Sequence, residues 1–215
     1  MIDVEVLAGL LTHPDQRGRF FGVTVGVVTN NQDPDDLGRV KVRFPWLSDE
    51  HESQWARVVT PMAGDGRGLY FLPEVEDEVL VAFEHGMVEF PYVLGALWNG
   101  QDAPPESNDD GGNNVRVIKS RSGHVIRLDD TDGEETIEIV DGSGNNSIVI
   151  STADNTITVA ADADITIQSS SGKLILSGKG VEITSQAEVK IEASQDMDLR
   201  AGGQLNIKGS MVNIN

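Results

Sequence analysis

The stretch ITVAADADITIQSSSGKLILSGKGVEITSQAEVKIEASQDMDLRAGGQLNIKGSMVNI, residues 157–214, decides the fold. Apolar residues recur in it as pairs at i and i+2: Ile157/Val159, Ile165/Ile167, Leu174/Leu176, Val181/Ile183, Val189/Ile191, Met197/Leu199, Leu205/Ile207 and Val212/Ile214. Their first members step by 8, 9, 7, 8, 8, 8 and 7 residues, so short strands alternate with tight turns at a nearly fixed period. Successive side chains of a strand point to opposite faces, which puts both members of each pair on one side and the residue between them on the other. Seven of the eight middle residues (Thr158, Thr166, Ile175, Glu182, Lys190, Asp198, Asn206, Asn213) are polar. The segment therefore reads as a β-solenoid with one dry and one wet face, and the sixteen paired residues as its core.

The period alone leaves the number of chains open. A single-chain β-helix uses about 24 residues per coil. Residues 157–215 would then close fewer than three coils, with both ends and most edges exposed. If three identical chains wind round one axis, each octad supplies one strand to every layer. Eight layers at about 4.8 Å make a prism roughly 40 Å tall. This arithmetic predicts a homotrimer whose strands are held by interchain hydrogen bonds, so that an isolated chain does not keep the segment folded.

Upstream the pattern changes. Gln101 to Asn114 (QDAPPESNDDGGNN) reads as a linker, with two prolines, two glycines, four acids and Ala103 as its one apolar residue. Before it, strand-like runs cover Phe21–Val28, Arg39–Phe44, Trp55–Val59, Leu69–Leu72, Glu78–Phe83 and Tyr92–Trp98, with no helical stretch, which predicts a small β-barrel. Asp33-Pro34-Asp35-Asp36-Leu37-Gly38 and Gly64-Asp65-Gly66-Arg67-Gly68 read as turns, since neither has the ligand spacing of a calcium loop or the lysine of a phosphate loop. After the linker, Val115/Val117, Val125–Leu128, Ile137/Ile139 and Ile148/Ile150 continue as strands separated by Asp- and Gly-rich turns. The expected division is an N-terminal extension (1–20), a barrel (21–100), the linker (101–114), the start of a β-helical shaft (115–156) and the octad shaft with its tip (157–215). The fold class is all-β.

Composition limits the chemistry. The 215 residues include no Cys, so disulfides and thiolate sites are excluded. Met1 to Glu5 lacks the basic start of a signal peptide, and no run approaches the roughly 18 apolar residues of a membrane helix, which predicts synthesis in the cytoplasm. The net charge of −19 is spread over both halves and repels phosphates and anionic headgroups, arguing against nucleic acid as a partner. There is no Gly-x-Ser-x-Gly elbow, no His-Glu-x-x-His and no Cys nucleophile, and no cofactor is expected. The main rival is a tailspike-like glycan depolymerase or a receptor-binding fibre, with carboxylates such as Asp129/Asp130 in acid-base roles. It calls for sugar-stacking aromatics, and residues 157–215 contain no Phe, Tyr or Trp.

Four stretches carry a family resemblance. Gly26-Val27-Val28 with Asp33-Pro34, then Gly38-Arg39-Val40-Lys41-Val42-Arg43-Phe44-Pro45-Trp46, then Pro91-Tyr92-Val93-Leu94-Gly95-Ala96-Leu97-Trp98-Asn99, resemble the oligonucleotide/oligosaccharide-binding (OB) barrel of central spike proteins of contractile injection systems. These include phage baseplate protein V and the VgrG proteins. Ser120-Arg121-Ser122-Gly123-His124-Val125-Ile126-Arg127-Leu128-Asp129-Asp130-Thr131 resembles the segment that follows that barrel. The resemblance implies a non-enzymatic homotrimeric needle at the centre of a baseplate, driven through a target cell envelope when a sheath contracts. The particle would be a virion or phage-tail-like device, released extracellularly or acting from the cytoplasm. VgrG proteins carry a large hub before the barrel. With only about 20 residues there, the resemblance implies a separate hub protein at the N-terminal end, contacted by residues 1–20. At the other end Met211, Val212, Asn213, Ile214 and Asn215 are expected to receive a PAAR-type tip protein. His13, His51, His85 and His124 all precede the octads and none forms a His-x-His pair, so no metal is expected at the tip.

Overall fold

The computed structural model describes residues 18–47 and 51–214, so the expected hub-contacting residues fall largely outside the described part, as does Asn215. The chain divides into one unit ending at Asp162 and a second, Ala163–Asn215.

The first unit opens with a barrel built from β1 (Val23–Asn30), β2 (Arg39–Arg43), β3 (Ala56–Val58), β6 (Glu78–Phe83) and β7 (Pro91–Ala96). The strands close in the order β1-β2-β3-β7-β6, antiparallel throughout except for β3 beside β7. Alternation explains the filling. In β2 and β6 every second residue turns inward, burying Val40, Val42, Val79, Val81 and Phe83, and Val28, Phe44, Ala56 and Val93 complete the core. Valine suits this interior because its branched Cβ packs on a pleated, half-buried surface. Each such side chain contributes roughly 1.5 to 3 kcal/mol by leaving water.

Four rings lie together in and beside this core. Phe20 stacks on Trp46 at 5.5 Å and meets Phe83 edge-on at 5.7 Å, while Phe44 lies 5.5 Å from Phe83 and 6.3 Å from Trp46. Gly26 permits the closest approach in the barrel wall, because a Cβ there would sit 2.2 Å from Val42 Cγ1.

The expected strand Leu69–Leu72 is absent. A short hairpin of β4 (Ala63–Gly64) and β5 (Arg67–Gly68) lies just before it, overlapping the run Gly64–Gly68 read as a turn. Leu69, Tyr70 and Phe71 follow as exposed residues, so their apolar character signals neither a ladder nor a core. The only helical feature among the described residues is a single 3₁₀ turn, Glu84–Gly86.

After the barrel, residues 99–114 run through ordered turns. The Asn99 side-chain oxygen accepts from the backbone N–H of Gln101 and Asp102, and that of Asn108 accepts from Asn113. A five-strand antiparallel meander follows: β8 (Val115–Lys119), β9 (Val125–Asp129), β10 (Thr136–Val140), β11 (Ser147–Ser151) and β12 (Thr156–Ala160), neighbours in sequence being neighbours in the sheet. Ile157 and Val159, the first apolar pair, lie in β12.

The second unit is different in kind. Among its described residues no strand ladder and no helix forms within the chain. Its backbone bends at residues 162–163, 170–172, 178–179, 186–187, 194–195, 202–203 and 210–211, so that each bend begins eight residues after the last. In six of the seven repeats the apolar pair starts two residues after the bend ends. The nine-residue step from Ile165 to Leu174 is taken up by the one bend that is three residues long, Ser170-Ser171-Gly172.

The core expected of the paired residues is one shared between chains, and within a single chain they are uncovered. Ile165, Ile167, Leu174, Leu176, Val181, Ile183, Val189, Ile191, Met197, Leu199, Leu205, Ile207, Val212 and Ile214 are all exposed, by 47 to 85%, and Ile157 and Val159 by 72 and 55%. The second members of the pairs fare no better than the first: Ile167, Leu176, Ile183, Leu199 and Ile207 are each exposed by 61 to 69%. The reason is geometric. Each bend carries the next segment onward, so no strand of the same chain lies over a pair, and side chains from one strand alone cannot exclude water. Alternation puts these residues on one face, but this chain does not cover that face.

Candidate functional site

Register turns the meander into a surface. Its strands align so that Ile118, Ile126, Ile139, Ile148 and Val159 form one cross-strand row, and Leu128, Ile137, Ile150 and Ile157 a second beside it. All nine are exposed, by 37 to 72%. The second row begins at Arg116, but its guanidinium is drawn to the Asn113 carbonyl at 2.7 Å and the Asp130 carboxylate at 3.0 Å. Val115 and Val117 fall on the opposite face, where with Trp98, Pro104, Pro105 and Arg127 they line a hollow of about 730 Å³. The sequence pattern picks out that valine pair, but the apolar face takes Arg116 and Ile118 from the same strand.

In the second unit the fourteen paired apolar residues from Ile165 to Ile214 are uncovered, and polar residues between and beside them make local ion pairs: Lys190 with Glu192 at 2.8 Å and Asp198 with Arg200 at 3.0 Å. At the end of the described chain Met211, Val212 and Ile214 are exposed by 78, 48 and 85%, and Asn213 is exposed as well.

The barrel's outer wall carries the strongest electrostatics. The Asp33 side chain is 3% exposed, and its carboxylate accepts from the N–H groups of Asp35, Leu37 and Arg39 and from the Arg39 guanidinium at 2.6 and 2.8 Å. Arg39, helped by those backbone donors, holds the Asp33 carboxyl far below the ordinary carboxylate range. The carboxylate is thus consumed in bracing the β1–β2 loop, as the turn reading expects. Beside it Arg39 and Lys41 lie over Trp55 at 5.9 and 5.6 Å, and Arg57 over Tyr92 at 4.5 Å.

This basic and aromatic grouping on β2 and β3 is not visible in the sequence. OB barrels bind oligonucleotides and oligosaccharides on that face. Here Lys41 pairs with Glu52 at 3.0 Å and lowers its pKa, and Arg57 reaches both Tyr92 and Glu84. The Tyr92 hydroxyl donates to Glu84 at 2.5 Å, which raises the pKa of the phenol. Carboxylates therefore balance these cations locally, a poor match to a phosphate backbone.

Among the described residues no three His, Asp or Glu side chains gather as a metal-binding group. The Asp129 carboxylate, considered above with Asp130 for acid-base work, accepts from the Thr131 hydroxyl and N–H, which lower its pKa. Asp130 points instead to Arg116. The two carboxylates have separate partners.

Comparison with known proteins agrees with this geometry. Residues 24–98 match the type VI secretion system/phage-baseplate injector OB domain. Over 155 residues, 68% of this chain, the sequence is 28% identical to the type VI secretion system spike protein VgrG2a of Pseudomonas aeruginosa, covering 18% of that protein. It is 29% identical over 161 residues to VgrG1a of the same organism, which is 67% of this chain and 24% of that one. With VgrG3 of Vibrio cholerae it shares 33% identity over 96 residues, 43% of this chain and 9% of the other. The chain thus spans less than a quarter of the length of each of these relatives. Barrel topology and the matched model show that residues 24–98 form an injector-type OB domain, and over about two thirds of its length the chain is similar to VgrG spike proteins.

Proposed function

We propose that three copies of this chain form the central spike of a contractile injection system, a structural and non-enzymatic needle that punctures a target envelope when a sheath contracts. The observation that carries this reading is the second unit. It has a regular strand-and-turn rhythm and fourteen outward apolar side chains, yet no hydrogen-bond ladder of its own. Strands need partners for their N–H and C=O groups, and apolar rows need cover. Two further copies wound round a common axis supply both, turning the octads into a triple-stranded β-helix. The two isoleucine-rich rows of the meander would face the same axis. Such a prism has no free sheet edge and resists axial load without any catalytic group.

The relatives are named as type VI spike proteins, which supports a place at the centre of a baseplate. A hub at the barrel end follows from the family resemblance. A PAAR-type cap beyond the octads is proposed from the family resemblance, with the exposed Met211, Val212 and Ile214 as its apolar contacts. Synthesis in the cytoplasm and incorporation into a virion or tail-like particle complete the proposal. Native mass spectrometry of the purified chain tests it, with three copies expected. A protease-resistant, folded monomer in dilute solution would overturn it.

A further inference from the structure

Three turns meet at the end of the meander from which the octads depart. In the β8–β9 turn the Ser120 hydroxyl accepts from the N–H of His124 at 3.1 Å. The β10–β11 turn presents the Gly142 N–H to His124 Nδ1 at 3.0 Å. The approach is close enough that a Cβ on Gly142 would lie 2.2 Å from the Ser122 carbonyl oxygen. The same turn is organised by Asp141, whose carboxylate accepts from Ser143 and from the side chain and backbone of Asn146. Asn146 in turn accepts through its side-chain oxygen from the N–H of Asp162, at the first bend of the repeat, at 3.3 Å. A relay thus runs from His124 through Gly142 and Asn146 to the residue where the regular bends begin.

We propose that His124 is an acid-sensitive clasp that positions the start of the octad repeat. The Gly142 bond requires Nδ1 to accept, which only the neutral imidazole does. When the ring takes a second proton both nitrogens donate, and Nδ1–H then faces another N–H. Asp141 is the one charged residue lining the hollow beside His124, and both of its oxygens are already engaged. The Asn146 and Ser143 donors pull its carboxyl down to about 2, so it stays a carboxylate in mild acid. The hairpin's own charges are Lys119 and Arg121, the latter turned to Glu74 of the barrel at 2.7 Å, so an imidazolium adds a further cation there. Exposure of His124 lets bulk solvent reach the ring.

Amide hydrogen exchange of the full-length protein, read at residue resolution by mass spectrometry, tests the clasp independently of copy number. Protection factors are compared at about pH 8 and about pH 5. Protection at Gly142 is expected to fall about fivefold in acid, the loss of one hydrogen bond of ordinary strength, while Val81 in the barrel core is unchanged. In His124→Phe, which offers no acceptor, protection at Gly142 should be low at both values. Flat wild-type protection across the window, or the same fall in His124→Phe, overturns the proposal.

Discussion

The barrel and the octad segment are written in the same two-residue alternation, yet one buries its apolar side chains within its own chain and the other leaves them in solvent. In β6 the alternation puts Val79, Val81 and Phe83 into the interior of a closed five-stranded wall. At Val189 and Ile191 it produces side chains 53 and 66% exposed. Alternation specifies which face is dry, and says nothing about whose atoms keep it dry. What separates the regions is closure. Loops of varied length let five barrel strands circle back to one another, whereas bends every eight residues carry each new strand away from the last.

That contrast can be broken at either end. The largest effect is expected from Ile191→Lys, which would place three like charges at one level of the proposed axis. Native mass should fall from three copies to one, while the melting of the barrel, followed by tryptophan fluorescence, stays where it was; normal trimers from this variant would refute the shared axis. The converse is Gly26→Val. Its new side chain collides with Val42 and should destabilise the barrel by about 1 to 3 kcal/mol in chemical denaturation, with the copy number unchanged.

A smaller effect is expected in Asp33→Asn, and it depends on pH. Because the Asp33 carboxyl is depressed in the folded state, its contribution is present above the ordinary Asp range near about 4 and is lost as pH falls below it. The variant should be less stable than wild type at neutral pH, and the difference should shrink progressively below about pH 4 in barrel unfolding curves. Smallest of all, Lys190→Ala removes an ion pair between exposed side chains on the wet face and should leave assembly and melting temperature unaltered.

Much of this is legible in the residues, and the omissions have physical causes. Glu78–Phe83 reads as a strand with its observed bounds because five of its six residues are apolar and Glu78 begins it after a turn. Leu69–Leu72 misleads, since aromatic content measures suitability for a pleated surface and not the presence of a partner strand. For Ile167, Leu176, Ile183, Leu199 and Ile207 the octad spacing marks a common face, and no spacing marks the atoms that would cover it. The pairing of β3 with β7 joins segments more than 30 residues apart, with no local mark in either. The same distance hides the Trp55 and Tyr92 grouping, in which each ring and its cations come from different parts of the sequence or from different strands. His124 stands out in the sequence only as a histidine outside the tip, because its partner Gly142 has no side chain to advertise the bond.

The uniform interval between bends has an evolutionary corollary. In the proposed shaft, whole modules can be added or removed at little structural cost, so related shafts would differ in length by eight residues at a time. A shift of one residue would turn every later side chain inside out, unless a slack corner such as Ser170-Ser171-Gly172 absorbs it.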